Sequence, residues 1–202
     1  RKTLGIIGLG HVGSEVGRRA RALGMYVLAC DPHISAEHAA KIGVKLVELP
    51  ELLRQADFVT LHVPLMPATR HLIGAEQLAL MKPEAMLINC ARGGIVDEAA
   101  LYRALAEKKI AGAALDVFEE EPPAGSPLLQ LDNVIATPHL GALTREAQAH
   151  VALQVAEQVL KALSGEPVTS AVNVPSLMPE TAAVLEPYLP LMRLLGNFYM
   201  QL

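Results

Sequence analysis

The chain has 202 residues, 51% of them apolar but only 3% aromatic, and a formal net charge of −4. That length suits one well-buried domain with an appendage, and the scattered Lys and Arg offer no basic stripe to nucleic acid. No apolar run approaches the roughly 20 residues that cross a bilayer, and the two cysteines, Cys30 and Cys90, fit a reduced, cytoplasmic chain better than a disulfide framework.

Short β-branched runs alternate with amphipathic stretches from residue 3 to about 140. The expected strands are "TLGIIG" (3–8), "YVLACD" (26–31), a weak "VKLVE" (44–48), "FVTLHV" (58–63), "AMLINCA" (85–91), "AGAALDVF" (111–118) and "NVIATPH" (133–139). Several are apolar on consecutive positions, as strands covered on both faces must be, which argues for a parallel sheet between helices. Helices are expected at 12–24, 35–42, 50–56, 75–81 and 97–108, the last with Asp97 and Glu98 in its first turn and Lys108 and Lys109 closing it. A longer helix is expected from Thr144, as N-cap, to Ser164, with Gly165 beyond it. A proline-rich tail then reads as turns leading into a short helix near 188–200. The chain opens almost directly on a core strand, so a preceding part of the natural protein is expected to be missing.

"GLGHVG", Gly8 to Gly13, follows the first strand and opens the first helix. In a βαβ unit Gly8 permits the tight turn, Gly10 lets backbone approach a pyrophosphate, Gly13 lets helix and strand pack closely, and the helix N-terminus attracts the anion. Alone, such glycines can serve only a turn. Here the second strand ends in Asp31, about 20 residues on, where a carboxylate accepts hydrogen bonds from a ribose. Its charge would repel a 2′-phosphate, so NAD is favoured over NADP. The expected fold is α/β, a doubly wound parallel sheet of the Rossmann type with a long C-terminal helix and the proline-rich tail.

Three further stretches end predicted parallel strands and so converge on one crevice: "NCARGGIVDE" (89–98), "LDVFEEEPP" (115–123) and "TPHLGA" (137–142). The Arg92 guanidinium suits bidentate recognition of a carboxylate, although taken alone it fits a capping or interface arginine equally well. His139 sits in a turn made rigid by Pro138, and imidazole is the usual group for moving a proton at neutral pH. A triple-Glu run is usually solvated surface; Glu121 is the member whose direction Pro122 constrains, and a carboxylate bonded to imidazole would orient it. Glu119 and Glu120 keep the surface reading.

These stretches, together with "KTLGIIGLGHVG", "DPHIS" and "LHVPLMPATRHLI", resemble the NAD-dependent D-2-hydroxyacid dehydrogenases over about residues 2 to 165. The resemblance implies that Arg92 binds the substrate carboxylate, that His139 is the acid/base, and that Glu121 supports it. It further implies NAD contacts from Gly8, Gly10, His11, Val12 and Gly13, from Asp31, from Val63 and Pro64, from Cys90, Ala91 and Arg92, from Asp116 toward the nicotinamide amide, and from His139, Gly141 and Ala142. His11 stands where family members often carry Arg. The tail is similar to that of members acting on 3-phospho-D-glycerate, which implies oxidation of that 2-hydroxy acid to 3-phosphohydroxypyruvate, the first step of serine biosynthesis. Another D-2-hydroxyacid dehydrogenase, a glyoxylate or hydroxypyruvate reductase, and a non-catalytic NAD-sensing corepressor-like domain are the alternatives. The expected division is an NAD-binding domain at 1–142, a helix at 143–165 leading back toward a substrate domain, and a linker with the start of another domain at 166–202. The family's substrate-binding segment would precede residue 1, leaving the crevice short of one wall, and the full-length protein is expected to be a homo-oligomer.

Overall fold

The computed structural model describes residues 1–166, 168, 171 and 184–201. They form two compact units, Arg1–Gly141 and Ala142–Leu202.

In the first unit seven parallel strands pair in the order β3-β2-β1-β4-β5-β6-β7. They are β1 (Thr3–Ile7), β2 (Tyr26–Cys30), β3 (Lys45–Leu46), β4 (Phe58–Leu61), β5 (Met86–Asn89), β6 (Gly112–Leu115) and β7 (Val134–Ala136). The helices between them are α1 (His11–Ala22), α2 (Ala36–Ile42), α3 (Leu49–Gln55), α4 (Ala75–Leu80) and α5 (Glu98–Ala106). Alternation along β1 splits the core into two layers. Ile6 and Leu4 bury with Ala20, Ala39 and Ile42 of α1 and α2, while Ile7 buries with Leu52, Leu53 and the apolar residues of α4 and α5. Glycines let two of these helices come close. A Cβ on Gly5 would collide with Leu52 of α3, and one on Gly17 of α1 would stand 3.2 Å from Val44 Cγ2.

All seven sequence-predicted strands are present, but they stop short of their expected ends. Residues 62–63, 90–91, 116–118 and 137–139 are loops at the C-terminal edge. Beyond β5 and β7 side chains capture the next backbone groups: Asn89 Oδ1 accepts from Ala91 N at 3.0 Å, and Asp116 Oδ1 accepts from Leu140 N at 2.7 Å. The end of α5 also differs from expectation. Asp97 is its N-cap, accepting from Ala100 N, and the helix stops at Ala106. Lys108 takes a left-handed φ of 55°, which turns the chain directly into the fully buried Ile110. Arg103, not Lys108 or Lys109, is the base in the last turn.

In the second unit α6 runs over Arg145–Leu163, capped by Thr144, whose hydroxyl accepts from Ala147 N at 3.1 Å. It ends at Ser164, followed by Gly165 at φ 77°. No residue of α6 is buried. The helix expected near 188–200 is α7, Leu189–Tyr199. Most of the expected linker lies outside the described residues. Among the described residues no helix is long and apolar enough to cross a membrane.

Candidate active site

Strand order reverses at β1 and β4, and in open α/β sheets ligands bind beyond the strand ends at such a switch point. Gly8, at φ 90°, makes the turn out of β1; a Cβ there would stand 2.7 Å from the His62 carbonyl oxygen. A Cβ on Gly13 would collide with the Gly8 carbonyl oxygen, so helix and turn pack backbone to backbone. Gly10 differs, because a Cβ there meets nothing within 4 Å. It is the N-cap of α1, which has no side-chain cap, and His11 and Val12 are exposed in the first turn. The positive end of α1 thus faces open space beside bare backbone, which fits a pyrophosphate.

Asp31 stands where the sequence puts it. Its Oδ2 accepts from Leu9 N at 2.7 Å and its Oδ1 from His33 N at 2.8 Å, tying the end of β2 to the glycine turn. A cavity of 810 Å³ opens here, lined among others by Gly8, Gly10, Asp31, His62, Val63 and Pro64; that volume is in the range of cofactor sites. His62 was not singled out by the sequence. Burial holds its imidazole below the usual histidine value, and Thr60 Oγ1 lies 3.1 Å from its Nε2, so at neutral pH it adds no charge beside Asp31. Its only sequence signal is its place at the end of an apolar run.

The β5, β6 and β7 ends assemble the second part of the site. Asn89 is buried and closes a turn on itself: its Nδ2 donates to Arg92 O at 3.0 Å while its Oδ1 holds Ala91 N. This turn presents Arg92 and Cys90 to solvent, and the Arg92 guanidinium donates to Ala91 O at 2.6 Å. Gly93 passes so close to the Phe118 carbonyl that no Cβ would fit. The Arg92 turn therefore rests directly on the segment that carries Glu121.

Asp116 is 5% exposed and is bonded to the β7 loop through both oxygens. Oδ1 accepts from Thr137 Oγ1 and Leu140 N, and Oδ2 from Gly141 N at 2.8 Å. Burial pushes its carboxyl up, but the bonds from Thr137, Leu140 and Gly141 outweigh that and hold it below the usual carboxylate value. A Cβ on Gly141 would lie 3.1 Å from Asp116 Oδ2. In this arrangement Asp116 clamps the turn bearing His139, a position the sequence did not anticipate. Ala142 opens the second unit.

His139 itself has φ 55°, a left-handed conformation uncommon for a residue with a side chain and found where surrounding bonds over-determine it. Its Nδ1 lies 2.9 Å from Glu121 Oε2, and Glu121 Oε1 accepts from Phe118 N at 3.1 Å. The hydrogen bond from His139 first, then that from Phe118, hold the Glu121 carboxyl below its usual value. An ionised carboxylate only accepts, so Nδ1 of His139 is the donor, and Nε2 is the nitrogen left to exchange a proton with a ligand. Both side chains are partly exposed, at 49% and 39%, so Nε2 is reachable. Glu119, read from the sequence as solvated surface, is exposed and also bonds His71, with Oε1 3.0 Å from Nε2.

A glycine cradle at the switch point of a parallel sheet, with an acid after the second strand, defines a Rossmann-type NAD-binding domain. The chain belongs to the family described as "D-isomer specific 2-hydroxyacid dehydrogenase, NAD binding domain", which it matches over residues 1–141. It is similar to the D-3-phosphoglycerate dehydrogenase of Methanocaldococcus jannaschii, 56% identical over 201 residues, 99% of this chain and 38% of that protein. It is similar also to that of Synechocystis, 54% identical over 202 residues, 100% of this chain and 36% of that protein. Among solved structures, a D-isomer specific 2-hydroxyacid dehydrogenase from Lactobacillus delbrueckii ssp. bulgaricus in its NAD-complexed form superposes with a TM-score of 0.78 at 35% identity, over 85% of this chain and 56% of that one. The chain therefore spans little more than a third of the length of these curated relatives.

Proposed function

We propose that the intact protein oxidises 3-phospho-D-glycerate to 3-phosphohydroxypyruvate with NAD, as the entry to serine biosynthesis. The single observation that carries the chemistry is the His139 Nδ1 to Glu121 Oε2 bond, because it orients the imidazole and leaves its other nitrogen accessible for proton transfer. The substrate rests on relatives of that name matching the whole chain at more than half identity.

In this reading Gly8, Gly10, His11, Val12 and Gly13 would hold the pyrophosphate of NAD, and Asp31 would accept from its adenosine ribose. Val63 and Pro64 would line the dinucleotide, while Cys90, Ala91, Asp116 and Gly141 would border its nicotinamide end. Bound NAD supplies the hydride acceptor. The Arg92 guanidinium holds the substrate carboxylate and polarises the C2 oxygen. His139 Nε2 takes the C2 hydroxyl proton as the C–O bond becomes a carbonyl, and Glu121 stabilises the imidazolium that forms. The same reading carries a cytoplasmic homo-oligomer, which cell fractionation and sedimentation test.

A substrate panel on the intact protein tests the assignment. NADH formation from 3-phospho-D-glycerate should exceed that from D-lactate or glycolate; equal or better turnover of either would replace the proposed substrate with another D-2-hydroxy acid.

A further inference from the structure

Glu119 joins three segments that the proposed chemistry needs in register. Its Oε1 is 3.0 Å from His71 Nε2, in the loop after β4. Its backbone N donates to Glu98 Oε1 at 2.5 Å, and Glu98 N in the first turn of α5 donates back to Glu119 Oε1 at 3.5 Å. His71 is held in turn to the Arg92 loop, since its N–H donates to Gly94 O at 2.8 Å and Ile73 N donates to Ile95 O at 3.2 Å. A short parallel bridge, Ile73 to Val96, continues that seam. The Arg92 turn and the β6 loop also meet directly where Gly93 abuts the Phe118 carbonyl.

These bonds bracket the Glu121 carboxylate. One residue before Glu119, the Phe118 N–H holds Glu121 Oε1; two residues after it, Glu121 reaches His139. The loop from Phe118 to Glu121 thus has one end fixed by its own turn and its outer side fixed by Glu119. His71 takes a left-handed φ of 50°, a conformation that a non-glycine residue keeps only when its bonds require it. With side-chain exposures of 39% and 34%, the His71–Glu119 pair is too accessible to add much to global stability. Its geometric effect is the larger one.

We propose that Glu119 is a positioning residue: by bonding the His71 loop and the first turn of α5 together, it sets the segment that carries Glu121 against the turn that carries Arg92. It touches neither substrate nor cofactor. The proposal rests on the reading of Arg92, Glu121 and His139 as the reacting set, and two readouts separate its failure from the failure of that reading.

The first readout is kinetic. In the intact protein, Glu119→Ala should raise KM for 3-phospho-D-glycerate and lower kcat by about three- to ten-fold each, with NAD affinity by calorimetry unchanged. Glu119→Gln, which keeps an acceptor oxygen, should recover most of the loss. His71→Ala should reproduce it, and the double variant should be no worse than either single one. The second readout is amide hydrogen exchange at Phe118 and His71, which should accelerate in Glu119→Ala whether or not the protein turns over. Unchanged KM and kcat together with unchanged exchange would overturn the proposal. If the unsubstituted protein oxidises no 2-hydroxy acid, the functional reading falls, and exchange alone then decides whether Glu119 fixes the Glu121 loop.

Discussion

The Glu121 carboxylate is shared between two partners, Phe118 N through one oxygen and His139 Nδ1 through the other, so the group that orients the imidazole is itself held by its own turn. Glu120, its neighbour, is exposed, with no hydrogen bond or ion pair among the described residues. Glu121→Gln should therefore lower turnover by about ten- to a thousand-fold, while Glu120→Gln should stay within about two-fold of the parent. Steady-state NADH formation by the two variants checks the division, and equal losses would show that the acidic run acts only through its overall charge.

The three glycines of the cradle separate folding from binding. Gly13→Ala forces a Cβ against the Gly8 carbonyl, and neither backbone can yield. Thermal unfolding should register a loss of about 1–3 kcal/mol, and Gly8→Ala, at φ 90°, a similar one. Gly10→Ala adds its methyl to open space and should melt like the parent, yet lose at least about ten-fold in NAD affinity because the methyl occupies the pyrophosphate's approach.

Asp31 should govern the choice of cofactor. Asp31→Asn removes the charge that repels a 2′-phosphate while keeping an acceptor for Leu9 N. Calorimetry should show the preference for NAD over NADP narrowing by about ten-fold. An unchanged ratio would assign the discrimination to other residues of the cavity.

Asn89 is a stability and a positioning prediction at once. Asn89→Ala leaves Ala91 N and Arg92 O without their side-chain partner, at a cost of about 1–3 kcal/mol. The same change frees the Arg92 turn, so KM for the 2-hydroxy acid should rise more than kcat falls.

Acid should loosen the His139 turn. Asp116 and Glu121 are both held below their ordinary values, Asp116 by bonds from Thr137, Leu140 and Gly141 that overcome its burial, Glu121 chiefly by His139. A carboxylate whose folded value is depressed contributes stability that is full above its unfolded value and is lost as pH falls through the folded one. The contribution of both should be constant at neutral pH and fade below about pH 4. Asp116→Asn should flatten that acid limb in a pH series of thermal melts; an unaltered limb would show that Asp116 is not titrating there.

Much of this architecture was legible because strands covered on both faces announce themselves as consecutive apolar runs. "TLGII" and "FVTL" could be little else, and the glycine turn with Asp31 located the switch point. Arg92, Glu121 and His139 drew attention as candidates because each follows such a run. What escaped was side-chain capture of backbone. Nothing in "INCARG" says that Asn89 will fold back on Ala91 and Arg92, and nothing in "DVF" says that Asp116 will collect amides from Leu140 and Gly141, about 25 residues away. The His71–Glu119 bond spans 48 residues and is visible only when three loop ends are brought to one sheet edge. Side-chain capture by Asn89 and Asp116 also accompanies the early ends of β5 and β7.

The central claim is that His139, oriented by Glu121, moves the substrate proton beside a cradle that binds NAD independently of it. His139→Gln in the intact protein, with NAD affinity measured by calorimetry and NADH formation from 3-phospho-D-glycerate measured alongside, tests it most directly. The account predicts NAD binding within about two-fold of the parent and turnover reduced by at least about a hundred-fold. A variant that keeps its turnover would contradict it.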